Sequence, residues 1–130
     1  MKRLPAIIAR RRELASRYES RLQSIDGVIV PREPQWARTN WQSYAIRVGA
    51  WIEQQTLMQR LLDAGISTRR GVMNVHREAS YPEGTWRAGS GLVQSEDAQD
   101  TTIVLPLYHQ LTEEDQDRVI ASLESLITNH

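Results

Sequence analysis

The sequence predicts an α+β fold, a small and mainly antiparallel sheet covered by helices on one face. Three observations predict it. Apolar residues recur at helical spacing in separate stretches, short β-branched runs bounded by turn residues stand between them, and the order reads helix, strand, strand, helix, irregular segment, strand, helix. With 130 residues there is length for one core, so residues 1–130 are read as a single domain.

Leu4, Ile8, Ala15, Tyr18 and Leu22, with Ile7 and Leu14 widening the stripe, predict a helix over residues 4–24, and Pro5 suits its first turn. Arg3, Arg10 and Arg17 recur every seven residues with Arg21 one turn on, which makes a basic line opposite the apolar one. That line reads as a solvated face or as a docking face for something acidic. Asp26–Pro31 is a turn followed by a β-branched run, and Ser43–Val48 alternates apolar and polar residues as a second strand does. The stretch between them holds two prolines and reads as a connection.

Ile52, Leu57, Met58, Leu61 and Leu62 give the buried side of a helix over 52–64, ended by Gly65. After Thr68 the pattern lapses for about twenty-five residues, to Gln94, in a segment with four of the seven glycines. Irregular stretches of more than about 12–15 residues are uncommon in compact domains and tend to carry function or lack order. Ser95 is placed to cap a short helix through Gln99, Thr101–Tyr108 is the most β-rich run of the chain, and Thr112 caps a final helix with Asp115 as its capping-box partner. Val119, Ile120, Leu123, Leu126 and Ile127 form that helix's apolar side.

Composition narrows the chemistry. There is no apolar run near the ~20 residues that a bilayer requires, and no secretory signal, so the cytoplasm is expected and a membrane is not. Cysteine is absent, which excludes disulfides, thiolate nucleophiles and sulfur-ligated zinc. Residues 1–26 carry seven Lys/Arg against three Asp/Glu, and residues 94–130 one against eight, so the two ends are electrostatic complements. A basic first helix offset in this way, without a reader motif, argues against nucleic acid. Fifteen of the sixteen basic residues are arginine; the sole lysine, Lys2, lies at the edge of the first helix, where it offers no buried amine for Schiff-base chemistry.

Of the three histidines, His130 is terminal, His109 sits between a strand and a helix cap, and His76 is the one with functional surroundings. His76–Glu78 matches the H-x-E element of zinc deaminases, but the cysteine ligands of that chemistry are missing. Gly89–Gly91 is too short for a phosphate loop and lacks a following lysine. No catalytic, cofactor or metal residue is expected on this chain.

Four stretches, in order, resemble one family. "LPAIIARRRELASRYESRLQSIDGVIVP", "NWQSYAIRV", "LLDAGISTRRGVMNVHREASY" and "SEDAQDTTIVLPLYHQLTEEDQDRVIASL" are similar to the C-terminal small domain of the DegT/DnrJ/StrS pyridoxal-phosphate sugar aminotransferases, a domain of fold-type I enzymes. In that family a larger N-terminal domain carries the cofactor and its lysine. The resemblance therefore implies a chain inactive alone, one that contributes nucleotide-sugar contacts beside a separate large domain.

By resemblance His76 falls on the histidine of the x-x-H-x-x-x-x-Y element and Tyr81 on its tyrosine, while Arg69 and Arg70 occupy the variable turn after Thr68. Paired guanidinium forks there suit a carboxylate, phosphate or diphosphate. Gln42 replaces the family's strand histidine, and Gly71 stands where many members have a histidine. The ordinary alternatives stay open: arginines that are solvated or ion-paired, a structural His76, and a Tyr81 that anchors its loop. Trp41 and Tyr44 read as packing residues, and Trp36, Trp51 and Trp86 receive no role. A ligand-binding module, or a self-associating one that uses the face made for the large domain, is the competing function.

Overall fold

Pro5 in the first turn starts helix α1 (Leu4–Leu22) in the computed structural model, which describes residues 2–128. A turn with Gly27 at φ +78° leads into β1 (Val28–Ile29), and β2 is Tyr44–Val48. Helix α2 (Gln54–Asp63) begins two residues later than the apolar pattern suggests, because the Glu53 carboxylate accepts from the Gln55 and Thr56 amides and sets the start there. It ends as expected on Gly65, whose φ of +79° lets Ile66 N–H reach the Leu61 carbonyl and Gly65 N–H the Leu62 carbonyl, both at 2.8 Å. Then follow β3 (Arg69–Arg70), α3 (Val93–Thr101), β4 (Thr102–Leu105) and α4 (Glu113–Thr128). The Thr112 hydroxyl caps α4 by accepting from Asp115 N–H at 3.1 Å.

The sheet is antiparallel throughout, in the order β1-β2-β4-β3. Its register sorts the two faces. Tyr44 pairs with Leu105, Ile46 with Ile103 and Val48 with Val28, and all six are buried. These residues meet Leu14, Tyr18 and Leu22 of α1, Leu57 and Leu61 of α2, and Val119, Ile120 and Leu123 of α4 in one apolar cluster. The opposite face carries Ala45, Arg47, Thr102 and Val104, with Ile29 at its edge. An α+β arrangement with helices covering one face of an antiparallel sheet is thus what the chain forms. Among the described residues no helix is long and apolar enough to cross a membrane.

The local pattern misjudges several positions. The stretch read as irregular contains a fourth strand, β3, formed of two arginines with no strand signature. Leu62, expected on the buried side of α2, is exposed. Helix α3 starts earlier than Ser95, and that side chain does not cap it: the Ser95 hydroxyl donates to Asn74 Oδ1 instead. The basic line of α1 is neither free nor waiting for a partner along most of its length. Arg17 makes two 2.9 Å bonds to Asp117 of α4, Arg21 adds a third at 3.3 Å, and Arg10 donates to the Leu111 carbonyl. The charge asymmetry of the two ends therefore closes between α1 and α4, and the Arg17 guanidinium holds the Asp117 carboxyl below its ordinary range. The expectation for His130 lies outside the described residues.

Candidate functional site

The polar residues singled out by the sequence converge on the β3–β4 side of the sheet and on the segment that follows it. β3 exists because β4 offers it an edge: Arg69 lies opposite Val104 and Arg70 opposite Ile103, and Gly71 N–H donates to the Thr102 carbonyl at 3.2 Å. At Gly71 a Cβ would stand 2.3 Å from Thr102 Cγ2, so any other residue here requires the Thr102 side chain to give way.

Side chains alternate across a strand, and the two arginines consequently point to opposite faces. Arg70 shares the face of buried Ile103 and borders a groove against α2 with Gln55, Met58, Gln59 and Leu62. Arg69 shares the face of Val104 and borders a separate groove of about 150 Å³ with Gln42, Ser43, Ser67 and Pro106. Both guanidinium groups are exposed and, among the described residues, have no hydrogen-bonding or ionic partner.

The walls of the Arg69 groove are anchored to α1. Arg11 donates to the Gln42 carbonyl at 3.3 Å, and the Tyr18 hydroxyl donates to the Pro106 carbonyl at 3.0 Å. Burial raises the Tyr18 phenol well above its usual range, which keeps it a donor. The turn that presents Gln42 has Trp41 at φ +50°, held by Thr39 Oγ1 accepting from Trp41 N–H and Asn40 Oδ1 from Gln42 N–H. Arg12 staples the same connection from behind. It donates to both Glu33 oxygens at 2.8 Å and to the Thr39 carbonyl, and it draws the Glu33 carboxyl down to about 2.

Residues 72–78 are docked on α3 by a polar network for which the sequence offers no periodic signal. Asn74 is buried; its N–H donates to Gln99 Oε1 and its amide nitrogen to the Ser95 carbonyl, each at 2.8 Å. Gln54 at the start of α2 closes the network by donating to the Gln99 carbonyl at 2.9 Å and the Thr102 carbonyl at 2.7 Å. His76 sits on a one-turn 3₁₀ helix (Val75–Arg77), its Nε2 3.0 Å from Glu96 Oε1 and its ring 5.0 Å from Trp86, while Arg77 pairs with Asp100. Tyr81 is exposed in the turn beyond, where its N–H donates to the Glu78 carbonyl. Trp86, which the sequence left without a role, is the ring against which His76 packs. Trp41 and Tyr44 pack on each other at 5.5 Å.

Arg69, Arg70, His76 and Tyr81 thus come from one stretch of chain but do not line one cavity: two are split by the sheet, one is engaged with α3, and one faces solvent. Among the described residues no cluster of three or more histidine or acidic side chains is placed to hold a metal ion. The sole lysine, Lys2, is exposed ahead of α1. Gln42, Ser43 and Ser67 were missed by sequence reasoning as groove residues, because only the pairing of β2, β4 and β3 brings them beside Arg69.

Comparison with known proteins completes the picture. The family profile described as DegT/DnrJ/EryC1/StrS aminotransferase matches residues 1–124. The chain is 28% identical over 131 aligned residues to a dTDP-4-dehydro-2,3,6-trideoxy-D-glucose 4-aminotransferase of Saccharopolyspora spinosa, covering 100% of this chain and 32% of that protein. It is 30% identical over 118 residues to the erythromycin biosynthesis sensory transduction protein EryC1 of Saccharopolyspora erythraea, covering 90% of this chain and 31% of that one. Among solved structures, the aminotransferase TlmJ from Streptoalloteichus hindustanus superposes with a TM-score of 0.85 at 28% identity, over 98% of this chain and 34% of its own. Helicobacter pylori PseC, at 17% identity, shares the fold with a TM-score of 0.88 over 99% of this chain and 35% of its own. The chain spans about a third of the length of the relatives it matches. From the shared profile and the common fold, the chain belongs to the DegT/DnrJ/EryC1/StrS aminotransferase family, of which it represents a fragment.

Proposed function

We propose that this chain acts as the small domain of a cytoplasmic sugar-nucleotide aminotransferase: it supplies one wall of the substrate cleft, while a separate large domain holds pyridoxal phosphate and performs the chemistry. The observation that carries the proposal is the one-third coverage of relatives named as aminotransferases, one of them for a dTDP-linked sugar. The residues present do not fit the cofactor. Pyridoxal phosphate requires an amine in an enclosed site, and Lys2 stands exposed at the chain's edge, so no step through the cofactor is assigned to this chain.

Two further features support a missing neighbour. The apolar stripe of α1 runs on through Leu4, Ile7 and Ile8, none of them buried, past the core that covers Leu14 to Leu22. The segment around Tyr81 is exposed almost without interruption from Arg77 to Gly91. A wall that meets a second domain has such a surface before that domain docks. Arg69 and Arg70, on opposite faces of the sheet, and Tyr81 in the turn beyond are each exposed and available to a ligand, and His76 acts by holding its segment on α3.

The test is to mix the chain with the first two-thirds of a full-length relative such as TlmJ and follow sedimentation and turnover of a nucleotide keto-sugar. A one-to-one complex, together with no turnover by the chain alone in the presence of pyridoxal phosphate, is expected. Turnover by this chain alone, or indifference of the large-domain piece to it, refutes the proposal. Self-association through the α1 stripe is the competing outcome, and sedimentation of the chain by itself against concentration separates the two.

A further inference from the structure

We infer that the cavity between the end of α2 and the start of α4 binds a free α-amino acid with an apolar side chain, its ammonium held by Asp115 and its carboxylate by Arg118. Such binding is independent of the small-domain role proposed above, and Arg69, Arg70, His76 and Tyr81 do not line this cavity.

The sequence of α4 sets up the charges. Asp115 and Arg118 stand three residues apart, a spacing at which opposite charges on a helix are neighbours and ordinarily pair, as Arg10 and Glu13 do on α1 at 3.2 Å. On α4 that pair does not form. Arg118 Nη2 turns instead to the Ala64 carbonyl at 2.5 Å, where a cation suits the C-terminal end of α2. The Asp115 carboxylate is left with no hydrogen-bonding or ionic partner among the described residues. The guanidinium has further N–H donors beyond the one given to Ala64. A carboxylate and a guanidinium that stand side by side without joining are the complement of a ligand that carries both an ammonium and a carboxylate.

The cavity beside them supplies the rest of the recognition. It measures about 330 Å³ and is lined by Ile66, Leu111 and Val119, each no more than 4% exposed, with Ser67 and Tyr108 adding hydroxyls. Sites that enclose whole small molecules begin at about 300 Å³, so the space suits one amino acid and is short for a nucleotide or a peptide. The aliphatic lining favours an aliphatic side chain, and a charged one would lie there without a counter-charge. Both walls are fixed before a ligand arrives. From α1 the Tyr18 hydroxyl donates to the Pro106 carbonyl at 3.0 Å and Arg10 to the Leu111 carbonyl at 3.2 Å. On the other side the Gly65 and Ile66 amides close the end of α2.

The experiment is a titration of the isotopically labelled chain with L-leucine, following the backbone amides of Ile66, Ser67, Leu111 and Arg118. Saturable shifts at those amides are expected, with a dissociation constant of about 1 mM or tighter. N-acetyl-L-leucine lacks the ammonium and L-leucinamide the carboxylate. Each should bind roughly tenfold more weakly, the loss typical of a charge-assisted hydrogen bond, and L-glutamate should not saturate. Asp115→Asn should weaken L-leucine roughly tenfold yet leave N-acetyl-L-leucine within about twofold, because the group that Asp115 would hold is already gone; a merely structural role would weaken both alike. Arg118 also holds the Ala64 carbonyl, so the exposed Asp115 carries the mutational test, and an unchanged unliganded spectrum away from α4 confirms the fold. Absence of saturable shifts, equal affinity for the three leucine compounds, saturation by L-glutamate, or an Asp115→Asn variant that binds L-leucine as the parent does would overturn the inference.

Discussion

Replacing Gln54 by leucine removes the donor that joins the start of α2 to the junction of α3 and β4. In the native protein the buried Gln54 amide nitrogen donates to the carbonyls of Gln99 and Thr102 at 2.9 and 2.7 Å. The two acceptors fare differently after the change. Thr102 keeps the bond from Gly71 N–H, so its carbonyl loses one of two partners, at a cost of about 0.5–1.5 kcal/mol. Gln99 lies in the last turn of α3, where carbonyls have no intrahelical donor, and its carbonyl is left empty at about 1–3 kcal/mol. The sum, about 1.5–4.5 kcal/mol, is a large fraction of the roughly 5–15 kcal/mol that stabilises an ordinary domain. With a urea m-value of about 2 kcal/mol/M, the unfolding midpoint should fall by about 0.8–2.2 M. Hydrogen exchange should also quicken at the Asn74 amide, since the Gln99 side chain that accepts from it is held by the same junction. A midpoint within about 0.2 M of the parent, a difference of ~0.4 kcal/mol at that slope, would refute the claim that this network holds the segment on the fold.

Glu33 should make stability pH-dependent in acid. Arg12 lowers its carboxyl from an ordinary 4.5 to about 2, so the stabilisation is complete above pH 4.5 and is lost as pH falls from there towards 2. Urea midpoints of the parent and of Glu33→Gln should therefore differ at neutral pH and converge across that window; parallel curves would contradict the assignment. The effect is moderated by solvent, because about a quarter of each side chain remains exposed. At Gly65 an alanine would be forced to φ +79° with its Cβ 2.8 Å from Arg118 Nη2, and a loss of about 1–2 kcal/mol is expected in the same denaturation assay. A neutral Gly65→Ala would show that the helix end relaxes away from that geometry.

Local chemistry was enough for the elements whose signals are local. The periodic apolar residues of α1, α2 and α4, the glycine that ends α2 and the threonine that caps α4 each specify their structure within a few residues of chain, so the α+β class and the antiparallel sheet were legible before any coordinates. The four stretches of family resemblance were legible for the same reason, since they are strings. What no string contains is which edges and faces meet. Two adjacent arginines have little tendency to form a strand, and β3 arises only because β4 presents unpaired backbone groups to them. The apolar spacing of α1 and α2 does not reveal that Leu4 and Leu62 fall beyond the reach of the core. Nor does a row of arginines reveal that Arg17 will find Asp117 one hundred residues later. The separation of Arg69 from Arg70, and of His76 from both, follows from pairing register and from packing against α3. These are contacts between residues distant in sequence, whose geometry is settled only when the sheet closes and the helices lie down on it.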